Sequence, residues 1–538
     1  MKNLPDNLYR VDSVVQLEQI AINQYGIPAY ELMKRAGAAV FDVIRTRYSQ
    51  HKKILVLCGA GNNAGDGYVV ARLAKQAGFD VRVINLTDPQ ILKNEARLAY
   101  EDWLTVGENA RADLSLIDTS DLIVDALLGT GLTRPVSAEW AEWINAVNDS
   151  ANPVVSVDIP SGLFADTGVI AGSGAGDAIK ADVTVCFIGL KQGMFTARAG
   201  DVCGEIIFSD LGLPDEIYQQ VKCDARLIKQ VNRSLLAKRK ASSHKGCFGH
   251  VLIVGGNEGM PGAVILAARA ALRTGAGLVT IVTVPQHLAA ISAAVPEAMV
   301  KTCVADLDTG SDTGLQDGCS VEVLFKQGFI SKVTHVAVGM GLGQDNWSLK
   351  VLQHCVQLHK PMLIDADGLN VMAKHRSITS MLSSSAAFVI TPHPGEAARL
   401  LSSSLLASGL LSSNQTVSTA DIQSDRFEVV KKLHALFPDK TSCTVILKGS
   451  GTLVFDGTMI NVCALGNAAM AAPGMGDVLS GIVIALMAQA SDDSEDTVCD
   501  IAKLAVCLHA SAAALVTGDK TRGLLASDVI EVLPKVLQ

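Results

Sequence analysis

Short apolar runs recur along the chain, each followed by a longer stretch of helical periodicity. Up to about residue 225 they are ILVLC (54 to 58), VRVIN (81 to 85), LIVDAL (122 to 127), VVSVD (154 to 158) and VTVCFIG (183 to 189). Such runs predict strands, and the alternation predicts β/α units. Each ends in Gly, Asp or Asn, where the ligand loops of an open parallel sheet sit. The basic, polar segment LLAKRKASSHKG (235 to 246) then interrupts the rhythm. A domain boundary is expected near residue 230, giving an N-terminal domain over 1–230 and a C-terminal domain over 231–538. The alternation resumes with HVLIVGG (250 to 256), LVTIVTV (278 to 284), THVAVGMG (334 to 341), PMLIDADG (361 to 368), AFVITPHPG (387 to 395), TVILKGSG (444 to 451) and TLVFDG (452 to 457). Residues 305–318 and the serine-rich 402–425 lack periodic apolar positions and read as surface insertions. No sequence repeat relates the halves.

Composition supports this layout. Of 538 residues, 49% are apolar and only 4% aromatic, which suits parallel sheets buried under helices on both faces. A net charge of -9 argues against a general nucleic-acid surface. The 12 cysteines form no C-x-x-C pair and no ligand-like spacing with histidine, so a reduced, cytoplasmic protein is expected. VLSGIVIALMAQA is too short to span a bilayer, and the segment after Cys499 is interrupted by Lys503 and His509; both read as core helices, and no membrane association is expected.

The chain lacks the P-loop, H-E-x-x-H and G-x-S-x-G motifs, which weighs against Walker-type ATPases, zincins and α/β-hydrolases. CGAGNNAGDGY (58 to 68) has dinucleotide-type glycine spacing, but Asn85 stands where an acidic residue is expected, and Asn62, Asn63 and Asp66 exceed what a pyrophosphate turn needs. DALLGTGLTRP (125 to 135) and VDIPSGL (157 to 163) bring Asp125, Thr130, Arg134, Asp158 and Ser161 to the same sheet edge. Singly, Asp125 or Asp158 could cap a helix and Ser161 could form a turn. Lys191, in GLKQGM, reads equally as a solvated lysine or as an acid/base partner.

Together, GAGNNAGDGY, DALLGTGL and SVDIPSGL closely resemble the NAD(P)H-hydrate epimerase family, the YjeF N-terminal domain, over about residues 10 to 215. The resemblance implies a Rossmann-like, three-layer α/β/α domain that interconverts the R and S hydrates, NADHX and NADPHX. It places the hydrate against Asn62, Asn63, Ala64, Gly65, Asp66, Gly129, Thr130, Gly131, Leu132, Thr133, Arg134, Pro135 and Asp158. It assigns a potassium ion to Asn63, Asp125 and Ser161, and hard oxygen donors suit an alkali ion. Epimerising the C6 carbinolamine needs reversible loss of its hydroxyl, so an acid/base pair near the ring suffices; Asp158 is the leading candidate, with Lys191 as its possible partner.

In the second half, DADGLN (365 to 370), TPHPGE (391 to 396), LKGSGT (447 to 452) and APGMGD (472 to 477) resemble, in order and spacing, the ribokinase-like superfamily, and most closely its ADP-dependent NAD(P)H-hydrate dehydratase branch. The resemblance implies that Lys448, Gly449, Ser450, Gly451 and Thr452 hold the ADP phosphates, with Gly476 at the nucleotide. It places Gly262, Gly341, His393 and Asp477 around the hydrate, with Asp477 as catalytic base. From its position ahead of VLSGIVIALMA, Asp477 alone could equally be a helix cap. Where many such kinases carry N-x-x-E this chain has His393-Pro-Gly-Glu396, so the magnesium arrangement is expected to differ.

The expectation is therefore a two-domain α/β enzyme: an epimerase, and a dehydratase that consumes ADP and releases AMP and phosphate. A homo-oligomer is expected. The alternatives are a ribokinase-like small-molecule kinase joined to a nucleotide-sensing domain, or a scaffold of the kind found in messenger RNA decapping.

Overall fold

The computed structural model describes residues 3–172, 178–232, 235, 238–305, 319–382, 386–412, 415–437, 443–490 and 497–537. The chain forms two compact units, Met1–Leu227 and Ile228–Gln538.

The strands of the first unit are β1 Asn7–Tyr9, β2 Lys53–Cys58, β3 Asp80–Asn85, β4 Leu122–Ala126, β5 Val154–Val157, β6 Val183–Phe187, β7 Leu190–Lys191, β8 Glu205–Ser209 and β9 Ala225–Ile228. Six of them make an all-parallel sheet in the order β3-β2-β4-β5-β6-β8. β1 pairs with the two-residue β7, and antiparallel with β9. The apolar runs are continuous because both faces are covered. Ile54, Val56 and Cys58 join a core under the helices Val11–Asn23, Ala29–Arg47, Asn62–Gln76 and Asn94–Leu104, whereas Leu55 and Leu57 join another with Ala138–Asp149. This is the three-layer arrangement expected. β1, β7, β8 and β9 are too short or too polar to stand out in the hydropathy pattern.

The second unit carries β10 His250–Val254, β11 Leu278–Thr283, β12 Met299–Val304, β13 Cys319–Ser320, β14 His335–Val338, β15 Met362–Ile364, β16 Phe388–Ile390, β17 Cys443–Leu447, β18 Thr452–Phe455 and β19 Ile460–Cys463. Their order is β13-β12-β11-β10-β14-β15-β16-β17-β18-β19, parallel through β17 and antiparallel over the last two pairings. Each sheet reverses its strand order once, between β2 and β4 in the first and between β10 and β14 in the second. Ligands of open α/β sheets bind in the crevice outside the strand ends at such a point.

Helix Met475–Gln489 lies in the core, with nearly every residue after Asp477 buried. Val498–Thr517, the one helix among the described residues long and apolar enough to cross a bilayer, has 67% of its apolar window buried inside the protein. Parts of 402–425 are helical: helix Pro394–Ala407 runs into the segment, and Thr419–Ser424 is a helix with a capping box at Ser418 and Asp421. Of 305–318, residues 306–318 lie outside those described.

Two candidate active sites

At the reversal point of the first sheet, the loops after β2 and β4 part around a cavity of about 1080 Å³. Asn62, Asn63, Asp66, residues 129–135, Asp158 and Lys191 all line it. Gly59 is required by close approach, because a Cβ there would sit 1.9 Å from the Leu127 carbonyl oxygen. Helix Asn62–Gln76 starts at the cavity with Gly61 as N-cap and no side-chain cap, so no side chain caps its first amides. Ala64 and Gly65, expected at the hydrate, are buried and do not line the cavity; a Cβ on Gly65 would meet Met33 Sδ at 2.6 Å.

Asp158 has φ 64°, a strained backbone for a non-glycine residue. Its carboxylate accepts hydrogen bonds from the Lys191 ammonium and, at 3.0 Å, from Phe187 N. Lys191 also donates to the Phe187 carbonyl at 3.1 Å. With the Lys191 side chain 1% exposed, the solvated-lysine reading is closed. Burial opposes the lysine's charge, but Asp158 and Cys186 outweigh it and hold its pKa above the ordinary value. Burial, with Asp158 and Glu18 nearby, pushes the Asp66 carboxyl well up. Glu18, also at the cavity, is raised by burial, then by Glu95 and Asp158.

Asp125 and Ser161 sit beneath the cavity wall, fully buried. Asp125 accepts from Ser156 Oγ at 2.7 Å, from Ser161 N at 2.9 Å and from Ser161 Oγ at 2.5 Å. Burial raises its pKa against those hydrogen bonds. Asn63 is 8% exposed, and both polar atoms of its side chain are buried with no hydrogen-bond partner. Buried polar groups are normally satisfied, so this pair of orphans points to an absent ligand.

The second cluster forms where β15, β16 and β17 end. Lys448, just after β17, lies 2.6 Å from Asp365 Oδ1 and 3.9 Å from Glu396 Oε2. Ser480 Oγ donates to Asp365 Oδ2 at 2.7 Å. Asp365 is the N-cap of helix Ala366–Lys374 but makes no side-chain cap bond, its carboxylate being spent on Lys448 and Ser480. Burial opposes both charges of the ion pair, yet each partner wins: Asp365 is held below its ordinary pKa and Lys448 above. A Cβ on Gly476 would lie 3.3 Å from Lys448 Nζ and 3.7 Å from Asp365 Oδ2, which ties the APGMGD turn to this cluster.

Asp477 is not the helix cap. Gly474, with φ 81°, is the N-cap of Met475–Gln489, no side-chain cap bond is made, and Asp477 falls in the first turn. Burial first, then Asp365 and Glu396 against Lys448, pushes its pKa up to about 7. His393 caps Pro394–Ala407: its Nδ1 accepts from Gly395 N at 2.9 Å, which leaves the proton on Nε2, 3.1 Å from Glu396 Oε1. Gly341 and Gly262 lie at the reversal point between β10 and β14. A Cβ on Gly341 would meet Met260 O at 2.8 Å, whereas one on Gly262 meets nothing within 4 Å.

The family models match in the same order. One described as YjeF-related protein N-terminus matches residues 29–193, and one described as NAD(P)H-hydrate dehydratase matches 251–535. The bifunctional NAD(P)H-hydrate repair enzyme Nnr of Escherichia coli (strain K12) is 38% identical, over 99% of this chain and 95% of that one. The chain belongs to the family of bifunctional NAD(P)H-hydrate repair enzymes. The Vibrio cholerae enzyme of the same name is 39% identical over 99% of both chains. A solved structure, the ADP/ATP-dependent NAD(P)H-hydrate dehydratase from Bacillus subtilis co-crystallized with ATP/Mg2+, is similar at 26% identity and a TM-score of 0.43, covering 56% of this chain and 94% of that one. The N-terminal unit is thus the epimerase and the C-terminal unit the dehydratase, as the motifs implied.

Several residues at these sites escaped sequence reasoning. Glu18 comes from helix Val11–Asn23, far upstream of the glycine-rich loop at 58–68. Asp365 and Glu396 lay inside quoted motifs without a role. His509 is buried in helix Val498–Thr517, its pKa pulled down to about 4 by burial and by the Lys448 charge, and only the fold brings it there.

Proposed function

We propose that the epimerase cavity binds the R and S hydrates of NADH and NADPH, and that Asp158 and Lys191 exchange the C6 hydroxyl between faces. The observation that carries this is the buried Lys191–Asp158 pair at a cavity wall, on a strained backbone, at the sheet's reversal point. Lys191 holds the proton that the departing hydroxyl needs, and Asp158 keeps that ammonium oriented and charged. Asp66 and the amides at the start of helix Asn62–Gln76 orient the rest of the hydrate. Potassium fits the residues beneath: the unpartnered Asn63 Oδ1, the Asp125 carboxylate and the Ser161 hydroxyl are hard oxygen donors. Bound there, the cation would supply fixed positive charge to the substrate loops.

In the dehydratase unit, ADP phosphates lie along residues 448–452, with the Lys448 ammonium held by Asp365, and Gly476 borders the nucleotide. Asp477 takes the proton of the C6 hydroxyl as that oxygen attacks the β-phosphoryl group, and the amides of Gly474, Met475 and Gly476 face the developing charge. The P–O bond to AMP breaks. The phosphorylated hydroxyl then leaves as phosphate, pushed by the ring nitrogen, and loss of a proton from C5 of the resulting iminium, to phosphate or water, gives NAD(P)H. His393, Gly262 and Gly341 frame the hydrate. No group of three or more His, Cys, Asp or Glu side chains among the described residues is arranged to hold a metal, so magnesium would arrive with the ADP phosphates. The net charge of -9 favours small-molecule work over nucleic-acid binding, in a reduced cytoplasm.

Product analysis tests the reading. Protein given ADP and NADHX is expected to restore the NADH absorbance and release AMP and phosphate in equal amounts. A stably phosphorylated alcohol with no NADH would instead establish the small-molecule kinase.

A further inference from the structure

Arg426 opens helix Arg426–His434 and is fully buried, 0% exposed, beneath the turn between β17 and β18. Its guanidinium spreads under residues 447–451. Nη2 donates to the Leu447 carbonyl at 3.2 Å and to the Gly451 carbonyl at 3.3 Å. Nη1 donates to the Lys448 carbonyl at 3.3 Å and to Gln423 Oε1 at 3.1 Å. Burial costs it enough to bring its pKa down to about 10, still leaving it charged at neutral pH. Gly449, with φ 139°, has to be glycine, since a Cβ there would lie 2.7 Å from Nη1.

We infer that Arg426 is a positioning residue for the nucleotide, acting through the loop rather than by touching ADP. A peptide group carries its N–H opposite its C=O. Drawing the Lys448 carbonyl inward onto Arg426 therefore turns the Gly449 N–H outward, to the side where phosphate oxygens would lie. The Leu447 and Gly451 carbonyls clamp either end of the turn, so Lys448 leaves the strand at a fixed place and reaches Asp365. Only a planar fork of donors can hold three carbonyls and Gln423 at once. Gln423 comes from helix Thr419–Ser424, so the end of the serine-rich segment sets the guanidinium in place. This rests on the proposed nucleotide role of residues 448–452.

Arg426→Lys, Arg426→Met, Gln423→Ala and Lys448→Gln in the full chain test it, with ADP and hydrate titrated separately and epimerase activity measured on the same preparations. Arg426→Met is expected to raise the KM for ADP by about tenfold or more, the equivalent of one lost charged hydrogen bond, while the KM for the S hydrate stays within about twofold. Arg426→Lys is expected to fall between wild type and Arg426→Met, and Gln423→Ala to show the same split more weakly. The ADP-induced rise in Tm is expected to shrink in the same order. Unchanged ADP affinity in Arg426→Met, with Lys448→Gln impaired, would overturn the inference alone. Equal loss for both substrates, with the ADP-induced Tm shift retained, would mark Arg426 as merely structural. Unchanged ADP affinity in Lys448→Gln would overturn the loop's nucleotide role and the inference with it.

Discussion

Asp477 shows how its surroundings alter a residue's chemistry. In water its carboxyl would be ionised throughout the physiological range and too weak a base to help. Burial and the Asp365 and Glu396 charges lift its pKa to about 7, where a general base is most effective. In the proposed role of Asp477 the ionised form is the active one, so the dehydratase kcat/KM is expected to rise with pH through about 7 in wild type, and that limb is expected to vanish with the residual activity of Asp477→Asn. A pH-rate profile on the S hydrate with ADP checks it. The same shift has a stability consequence. An acid whose folded pKa lies above its unfolded one loses stability as pH rises between the two, here from about 4 to about 7. Thermal melts of the two proteins are therefore expected to diverge in favour of Asp477→Asn across that range, and to coincide below it. Asp477 was legible in APGMGD as a choice between cap and base. That it is not the cap was not legible, because Gly474 takes that place, nor was its raised pKa, which depends on carboxylates brought in from two other strand ends.

At the scale of elements, what the hydropathy pattern revealed was the buried strands, and the reason is physical: a strand covered on both faces is apolar at every position. β8, with polar Glu205 and Ser209 at its ends, and the two-residue β7 carry no such signature, so the strand that delivers Lys191 was invisible as a strand. The glycines were legible as turns but not by their individual roles. Gly59→Ala is expected to abolish epimerisation, since relieving the 1.9 Å contact with Leu127 O must displace the loop holding residues 129–135. Dehydration of the S hydrate by the same variant is expected to be unchanged. Gly262→Ala is the opposite case: its Cβ meets nothing in the protein, so wild-type Tm with a raised KM for the hydrate would show that the ligand, not the fold, requires glycine there.

For the whole molecule, each unit carries its own cluster of ionisable groups: Asp158 and Lys191 at the cavity of the first, Asp477, Lys448 and Asp365 together in the second. The division of labour was readable because the motifs cluster on either side of the basic segment. What joined them into sites, the single strand-order reversal in each sheet, lies in the topology and not in any local stretch. The two activities are then expected to be separable by point substitution. The most direct measurement follows ADP-dependent NADH formation from purified R and S hydrates by wild type, Asp158→Asn and Asp477→Asn. Asp477→Asn is expected to lose about 100- to 10,000-fold on both epimers. Asp158→Asn is expected to dehydrate the S hydrate at the wild-type rate and to lose only the rapid use of R. Normal turnover by Asp477→Asn, or equal loss on both epimers by Asp158→Asn, would contradict the assignment of the two steps to these two sites.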